Sequence, residues 1–182
     1  MRARGAAFDT LTSRVRAALE AACGAPDDLF GSHIRTALEQ AAPLVDLLSS
    51  EILRGSAERY TRHLLASDAA GRFAAAALIW RPGQMTPVHG HHTWCGYRVV
   101  RGVLTEEVFE WDETETRAIS RGSRERAAGA ASFVGAGVRG IHRLANLSDE
   151  IAVSLHVYGV HADAIATRVN HCVETAEPRK AA

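Results

Sequence analysis

The chain has 182 residues, long enough to bury a core without staples, and the simplest organisation is a single domain over residues 1–182. Charged residues make up 23% and the formal net charge is zero, so neither nucleic acid nor an anionic membrane surface is an expected partner. The three cysteines (Cys23, Cys95, Cys172) are far apart and lack C-x-x-C spacing, which argues against a disulfide framework or a structural zinc site.

The N-terminus carries basic residues but no apolar h-region, so it does not read as a secretory signal. No apolar run approaches the roughly 20 residues of a membrane span. A soluble, cytoplasmic setting is expected. Lys180 is the only lysine, a bias without functional weight.

Residues 1–66 read as mostly helical. In FDTLTSRVRAALEAAC the apolar positions Phe8, Leu11, Val15, Leu19 and Cys23 recur at three and four, giving one apolar stripe. Thr10 or Thr12 is the expected cap, and Gly24-Ala25-Pro26 ends the helix. A second helix is expected near His33 to Gln40. A third, PLVDLLSSEIL, stops at Gly55. In SAERYTRHLLAS, the positions Tyr60, Arg62 and Leu64 suit either a helix end or a strand start.

From there the pattern changes, and residues 67–175 read as β. FAAAALIW, YRVVRGVLTEEVFEW, TRAIS, AASFV, GIHRLAN and IAVSLHVYG are short apolar or alternating runs punctuated by Gly, Asn, Asp and Ser. Such spacing predicts a mainly β protein, a sandwich or barrel, with the N-terminal helices packed outside it.

The chain spends three of its nine histidines on PVHGHHTWCGY. Residues two apart on a strand face one way, so His89 and His91 would point together and suit one metal. A third ligand must come from another strand: His142 in GIHRLAN, or His156 in VSLHVYG. His33, His63, His161 and His171 sit in helix, loop or tail contexts, and the parity of His92 turns it away from the pair.

These residues resemble a known pattern. Gly83-QMTPV-His89-Gly90-His91 resembles the first cupin motif, G-x5-H-x-H, with Gly102 where its closing glycine belongs. His142-RLA-Asn146 resembles the second motif's H-x3-N ending. The resemblance implies a double-stranded β-helix barrel. Two departures stand out: the usual glutamate falls at Cys95, and Arg139 replaces a usual glycine. Without that glutamate the ligand set is three neutral imidazoles, unlike the two-histidine, one-carboxylate triad of many non-heme iron oxygenases. A cupin isomerase would keep the glutamate and often a lysine.

Three-histidine cupin sites resemble the thiol dioxygenases, typified by cysteine dioxygenase and 3-mercaptopropionate dioxygenase. The likeness runs over roughly residues 58–160, through Tyr60-Thr61-Arg62, PVHGHHTWC, RGVLTEEVFEW, His142-RLA-Asn146 and Ser154-Leu155-His156-Val157-Tyr158. It implies Fe(II) held by His89, His91 and His142. It implies a Ser154–His156–Tyr158 relay beside the metal, and Arg62, helped by Tyr60, as the reader of a substrate carboxylate.

The substrates would be O2 and a small thiol, most simply L-cysteine going to its sulfinate. The alternatives are 3-mercaptopropionate or another mercapto-acid, or a cupin that binds a ligand without turnover. A monomer is compatible with the sequence. Arg168, in IATRVN, is a second candidate carboxylate reader. Animal members join a cysteine to the relay tyrosine. Ungapped alignment puts Gly96 at that cysteine's position, whereas simple strand parity turns Cys95 inward. The alignment, followed here because a bulge resets parity, predicts no crosslink.

Overall fold

The computed structural model describes residues 2–114 and 116–176; Lys180 lies outside them. Four helices precede the strands: α1 (Arg2–Ala22), α2 (Asp27–Ala41), α3 (Leu44–Leu47) and α4 (Ser50–Arg54). Helix α1 begins well before Thr10, so neither threonine caps it. Thr10 lies inside the helix, its hydroxyl donating back to the Ala6 carbonyl at 2.8 Å. The stretch expected as a third helix is split. Ser49 interrupts it and caps α4, its Oγ accepting from the Ile52 amide at 3.2 Å.

The strands are β1 (Thr61–Ser67), β2 (Ala74–Trp80), β3 (His89–His91), β4 (Cys95–Arg101) and β5 (Val103–Asp112). They continue with β6 (Arg117–Ala127), β7 (Ala131–Val134), β8 (Gly137–Ala145), β9 (Ala152–Tyr158) and β10 (Asn170–Cys172). The β part thus begins earlier than residue 67, and Tyr60-Thr61-Arg62 leads into a strand. Between β4 and β5 the chain turns at Gly102, where φ is +70° and an added Cβ would press on Ala152.

All ladders are antiparallel and form two five-stranded sheets. Sheet A has the order β1-β2-β9-β4-β7 and sheet B the order β10-β3-β8-β5-β6. The fold is the cupin barrel with N-terminal helices on its outside. One apolar layer joins Val15 and Leu19 of α1 and Ile34 and Leu38 of α2 to Ala75, Ala77, Ile79, Val153, Leu155 and Val157 of sheet A. The opposite face of the same strands supplies the barrel interior: Ala76, Leu78, Trp80, Tyr97 and Val99 pack on Leu104 and Leu144 of sheet B.

Strands β2 and β9 are therefore buried throughout. Burial on both faces is why β2 reads as a continuous apolar run rather than an alternation. It also gives the polar residues of β9 their meaning. Ser154, His156 and Tyr158 all face the barrel interior, and such groups persist there only when hydrogen-bonded. Among the described residues no helix is long and apolar enough to cross a membrane.

Candidate metal centre and its surroundings

Strand β3 brings His89 and His91 to one side, and β8 brings His142 directly across from His89 in the ladder. Gly90 between them has to be glycine, since an added Cβ would lie 2.5 Å from the Gly137 carbonyl oxygen on β8. The ring centroids of the three histidines are 4.8, 5.1 and 5.2 Å apart. One ligand nitrogen from each lies within 4.8 Å of the others, and all three side chains are buried. The group can hold one metal ion.

The donor set suits such an ion chemically. His89 Nδ1 lies 2.9 Å from the Pro87 carbonyl oxygen, which can only accept, so Nδ1 carries the proton and Nε2 keeps its lone pair. His142 Nδ1 lies 2.9 Å from Glu106 Oε1, with the same consequence. His91 Nδ1 is buried without a partner among the described residues. Burial, with a smaller contribution from His142 close by, pushes His89 and His91 down to about 3, so both are neutral imidazoles, the form that ligates.

Glu106 is the residue that sequence reasoning missed. It stands on β5 with Leu104 in the inward register and is buried. Besides His142, it accepts from Arg124 Nε at 2.9 Å and Nη2 at 2.8 Å, and Arg126 Nε stands 3.6 Å away. Burial pushes its pKa up, but the hydrogen bonds from His142 and Arg124 outweigh that and bring it down to about 2. The available signal was a carboxylate two residues from a buried leucine on one strand face, a position that requires partners.

Sheet A supplies the other wall. Along β9, Ser154 Oγ lies 2.9 Å from His156 Nε2, and Tyr158 Oη lies 3.1 Å from His156 Nδ1. Their cross-strand partners on β2 are small where space is needed: Ala76 faces His156 and Ala74 faces Tyr158. Burial lowers His156 well below the ordinary imidazole value, and burial raises the Tyr158 phenol, so both are neutral. Trp80 Nε1 donates to Ser154 Oγ at 2.9 Å, and Tyr60 stacks on Trp80 with centroids 4.4 Å apart.

Arg62 on β1 is in register with Leu78, which in turn faces Ser154, so the guanidinium belongs to the interior face. Its Nη2 donates to Tyr60 Oη at 3.2 Å, and its Nε is buried without a partner among the described residues. Its positive charge contributes to the lowered values of His89 and His156. Asn146, the last residue of the second motif, has a structural task. It donates to the Trp80 carbonyl at 2.9 Å and the Glu150 carbonyl at 2.7 Å, tying the turn after β8 to β2.

The remaining candidates lie elsewhere. His92 is exposed and stacks on His171, with centroids 5.0 Å apart. Arg168 is exposed beyond the 3-10 turn Ala162–Ala164, while its neighbour Val169 turns inward to pack with Cys95 and Tyr158. His161 is exposed, His33 lies on α2, and His63 bonds to Thr61.

The placement of Cys95 and Gly96 reverses the expectation. Cys95 is the cross-strand partner of Tyr158 and packs against it. Gly96 faces the helices instead, where an added Cβ would lie 2.6 Å from Ile34 Cγ2. Parity holds because the ladder between β4 and β9 is regular at this end; its irregularity comes later, between Val99 and Arg101.

The family model for cysteine dioxygenase type I matches residues 53–167, more than half of the chain. Among solved structures, the TT1209 protein of Thermus thermophilus is 22% identical at a TM-score of 0.47, over 62% of this chain and 95% of that one. A Cupin 2 conserved barrel domain protein of Salinispora arenicola CNS-205 is 18% identical at a TM-score of 0.42, over 59% and 80% of the two chains. A cupin-superfamily sugar phosphate isomerase of Silicibacter pomeroyi DSS-3 is 21% identical at 0.38, over 48% of this chain and 50% of that one.

Proposed function

This chain belongs to the cysteine dioxygenase type I family, and from that premise we propose that it is an Fe(II)-dependent thiol dioxygenase acting on L-cysteine. Its metal ligands are His89, His91 and His142. The observation that carries the reading is the convergence of three imidazoles, with no carboxylate among the ligand atoms, beside Arg62 and the Ser154–His156–Tyr158 relay. The overall reaction balances without an external reductant: RSH + O2 gives RSO2H, both oxygen atoms ending on sulfur.

Bound Fe(II) supplies the coordination positions at which thiolate and dioxygen meet. The rest is the work of the chain. Arg62 carries a buried Nε–H with no partner among the described residues, and a substrate carboxylate satisfies it as a charge-assisted pair. Tyr60 braces the guanidinium through its hydroxyl. Tyr158 lends its hydroxyl to the substrate, held by His156, which Ser154 orients. The apolar residues around them keep water out, which strengthens each of these bonds.

The substrate could also be 3-mercaptopropionate, since it too offers Arg62 a carboxylate, one carbon farther from sulfur. The test is anaerobic reconstitution with Fe(II), followed by oxygen uptake and sulfinate yield with L-cysteine, 3-mercaptopropionate and cysteamine. L-cysteine should have the highest kcat/KM and cysteamine, lacking a carboxylate, should be poor. A tenfold preference for 3-mercaptopropionate would replace L-cysteine as the substrate. No oxygen uptake with any thiol, in protein that holds iron, would leave a ligand-binding cupin.

A further inference from the structure

We propose that the cavity on the Glu106 side of the metal-binding imidazoles is a second binding site, for a small monovalent anion of halide to formate size. Its occupancy is coupled to that of the metal. The inference rests on a divalent ion held by His89, His91 and His142, and not on the thiol dioxygenase reading.

The unequal treatment of the three imidazoles points to it. A metal-bound histidine almost always gives its second ring N–H to an acceptor. His89 gives Nδ1–H to the Pro87 carbonyl, and His142 gives it to Glu106. His91 Nδ1 has no partner among the described residues, although His91 is only 1% exposed. The residue lines instead a cavity of about 180 Å³, together with Tyr97, Glu106, Arg124, Ser132 and His142. That volume is roughly six waters' worth at ~30 Å³ each. Neither Tyr60, Arg62 nor any member of the Ser154–His156–Tyr158 relay lines it, which sets it apart from the space proposed for substrate.

The polar groups left over there are donors. Burial holds the Tyr97 phenol protonated, and its Oη, though close enough to Glu106 and Arg126 to feel both, hydrogen-bonds to neither. Arg126 lies over the Tyr97 ring, its Cζ 5.5 Å from the centroid, and its buried Nε–H also lacks a hydrogen bond. The carboxylate of the cavity is already in use. Glu106 Oε1 takes His142 Nδ1, and Oε2 takes both nitrogens of Arg124. Buried donors without acceptors are unfavourable, so the cavity calls for a guest that accepts.

Water accepts too, and charge separates the two guests. One carboxylate, Glu106, faces two guanidiniums, with Arg124 Nη2 at 2.8 Å and Arg126 Nε at 3.6 Å. A divalent ion adds two more positive charges, and none of the three imidazoles brings a negative one. Water would satisfy the hydrogen bonds and leave that charge uncompensated. A small anion meets both needs where the dielectric is low. The same charge couples the sites, since each ion is held more tightly when the other is present.

The test measures Co(II) affinity by chelator competition, with chloride exchanged for bulky toluenesulfonate at constant ionic strength. Chloride should tighten Co(II) binding by about fivefold or more, the low end of ordinary coupling between sites. The visible spectrum of bound Co(II) should not change, because chloride sits beside His91 rather than on the metal. Tyr97→Phe removes one donor and Arg126→Gln removes the surplus charge, and each should lose most of the chloride dependence. Equal affinity in the two salts means that the cavity holds water only, and overturns the proposal. A chloride effect that persists in full in either folded variant, or that comes with a new Co(II) spectrum, overturns it as well. Should neither variant fold, affinity and spectrum of the wild type decide between the same outcomes. No thiol or oxygen enters these measurements, so failure here and failure of the thiol dioxygenase reading are separate results.

Discussion

The two sheets put imidazoles into one cavity and treat them in opposite ways. On sheet B, His89 and His142 each have Nδ1 tied, to the Pro87 carbonyl and to Glu106, and Nε2 is left open. On sheet A, His156 has both nitrogens engaged, by Ser154 and Tyr158. The side chain is the same and buried in every case. On the proposed reading, what separates a ligand from a relay member is whether the second nitrogen has a partner. That favours His142 in a choice the sequence left open between it and His156.

The largest expected effect tests this contrast. His89→Ala, His91→Ala and His142→Ala should each lose most of the bound iron, because three neutral ligands leave none to spare. His156→Ala should keep it. Metal analysis after reconstitution reads both. Full iron in His142→Ala, or lost iron in folded His156→Ala, would mean that the sheets had been assigned the wrong tasks.

The second test stays on sheet A. Arg62→Gln should raise KM for L-cysteine and leave metal content unchanged. A lost charge-assisted pair in a partly dry site is worth about 2–4 kcal/mol, or roughly 30- to 800-fold. Relative preference should shift towards 3-mercaptopropionate. If neither thiol responds, the carboxylate is read elsewhere; exposed Arg168 is a poor substitute.

Next comes Tyr158→Phe, which removes one hydroxyl from the relay. It should keep fold and iron and lose about 5- to 150-fold in rate, the equivalent of about 1–3 kcal/mol. Unchanged kinetics with unchanged sulfinate per oxygen would remove Tyr158 from the chemistry.

Glu106→Gln returns to sheet B. The neutral amide no longer matches the paired arginines and holds His142 less firmly. Partners of metal-bound histidines typically contribute about 10- to 100-fold in metal affinity. Competition with a chelator measures that without turnover. Unaltered affinity would reduce Glu106 to a structural ion pair.

What could be read in the sequence follows the same division. The His89–His91 pair shows as a parity of two, and the strands show between turn residues, because both signals are local. β2 could be recognised as an apolar run and β9 as an alternation, but neither as a strand buried on two faces, since the covering helices come from the other end of the chain. Glu106 was hidden because its partners arrive from β6 and β8. Parity on β4 was right, and alignment overruled it. The one-residue offset between Cys95 and Gly96 is not visible until Tyr158 is seen across the ladder.

That offset supports the finest test, since adjacent residues of one strand serve different layers. Gly96→Ala pushes a methyl group into Ile34 and should cost about 1–3 kcal/mol of stability as overpacking, while metal binding persists. Cys95→Ala touches only the cavity side. With sulfur beside the relay tyrosine, aerobic turnover should join Cys95 Sγ to a ring carbon of Tyr158. One C–S bond forms, an S–H and a C–H bond are lost, and dioxygen takes the two electrons. Intact mass should then fall by two hydrogens in the wild type and not in Cys95→Ala. An unchanged wild-type mass after many turnovers would mean that cross-strand proximity alone is not enough, and the expectation drawn from Gly96 would stand for a different reason.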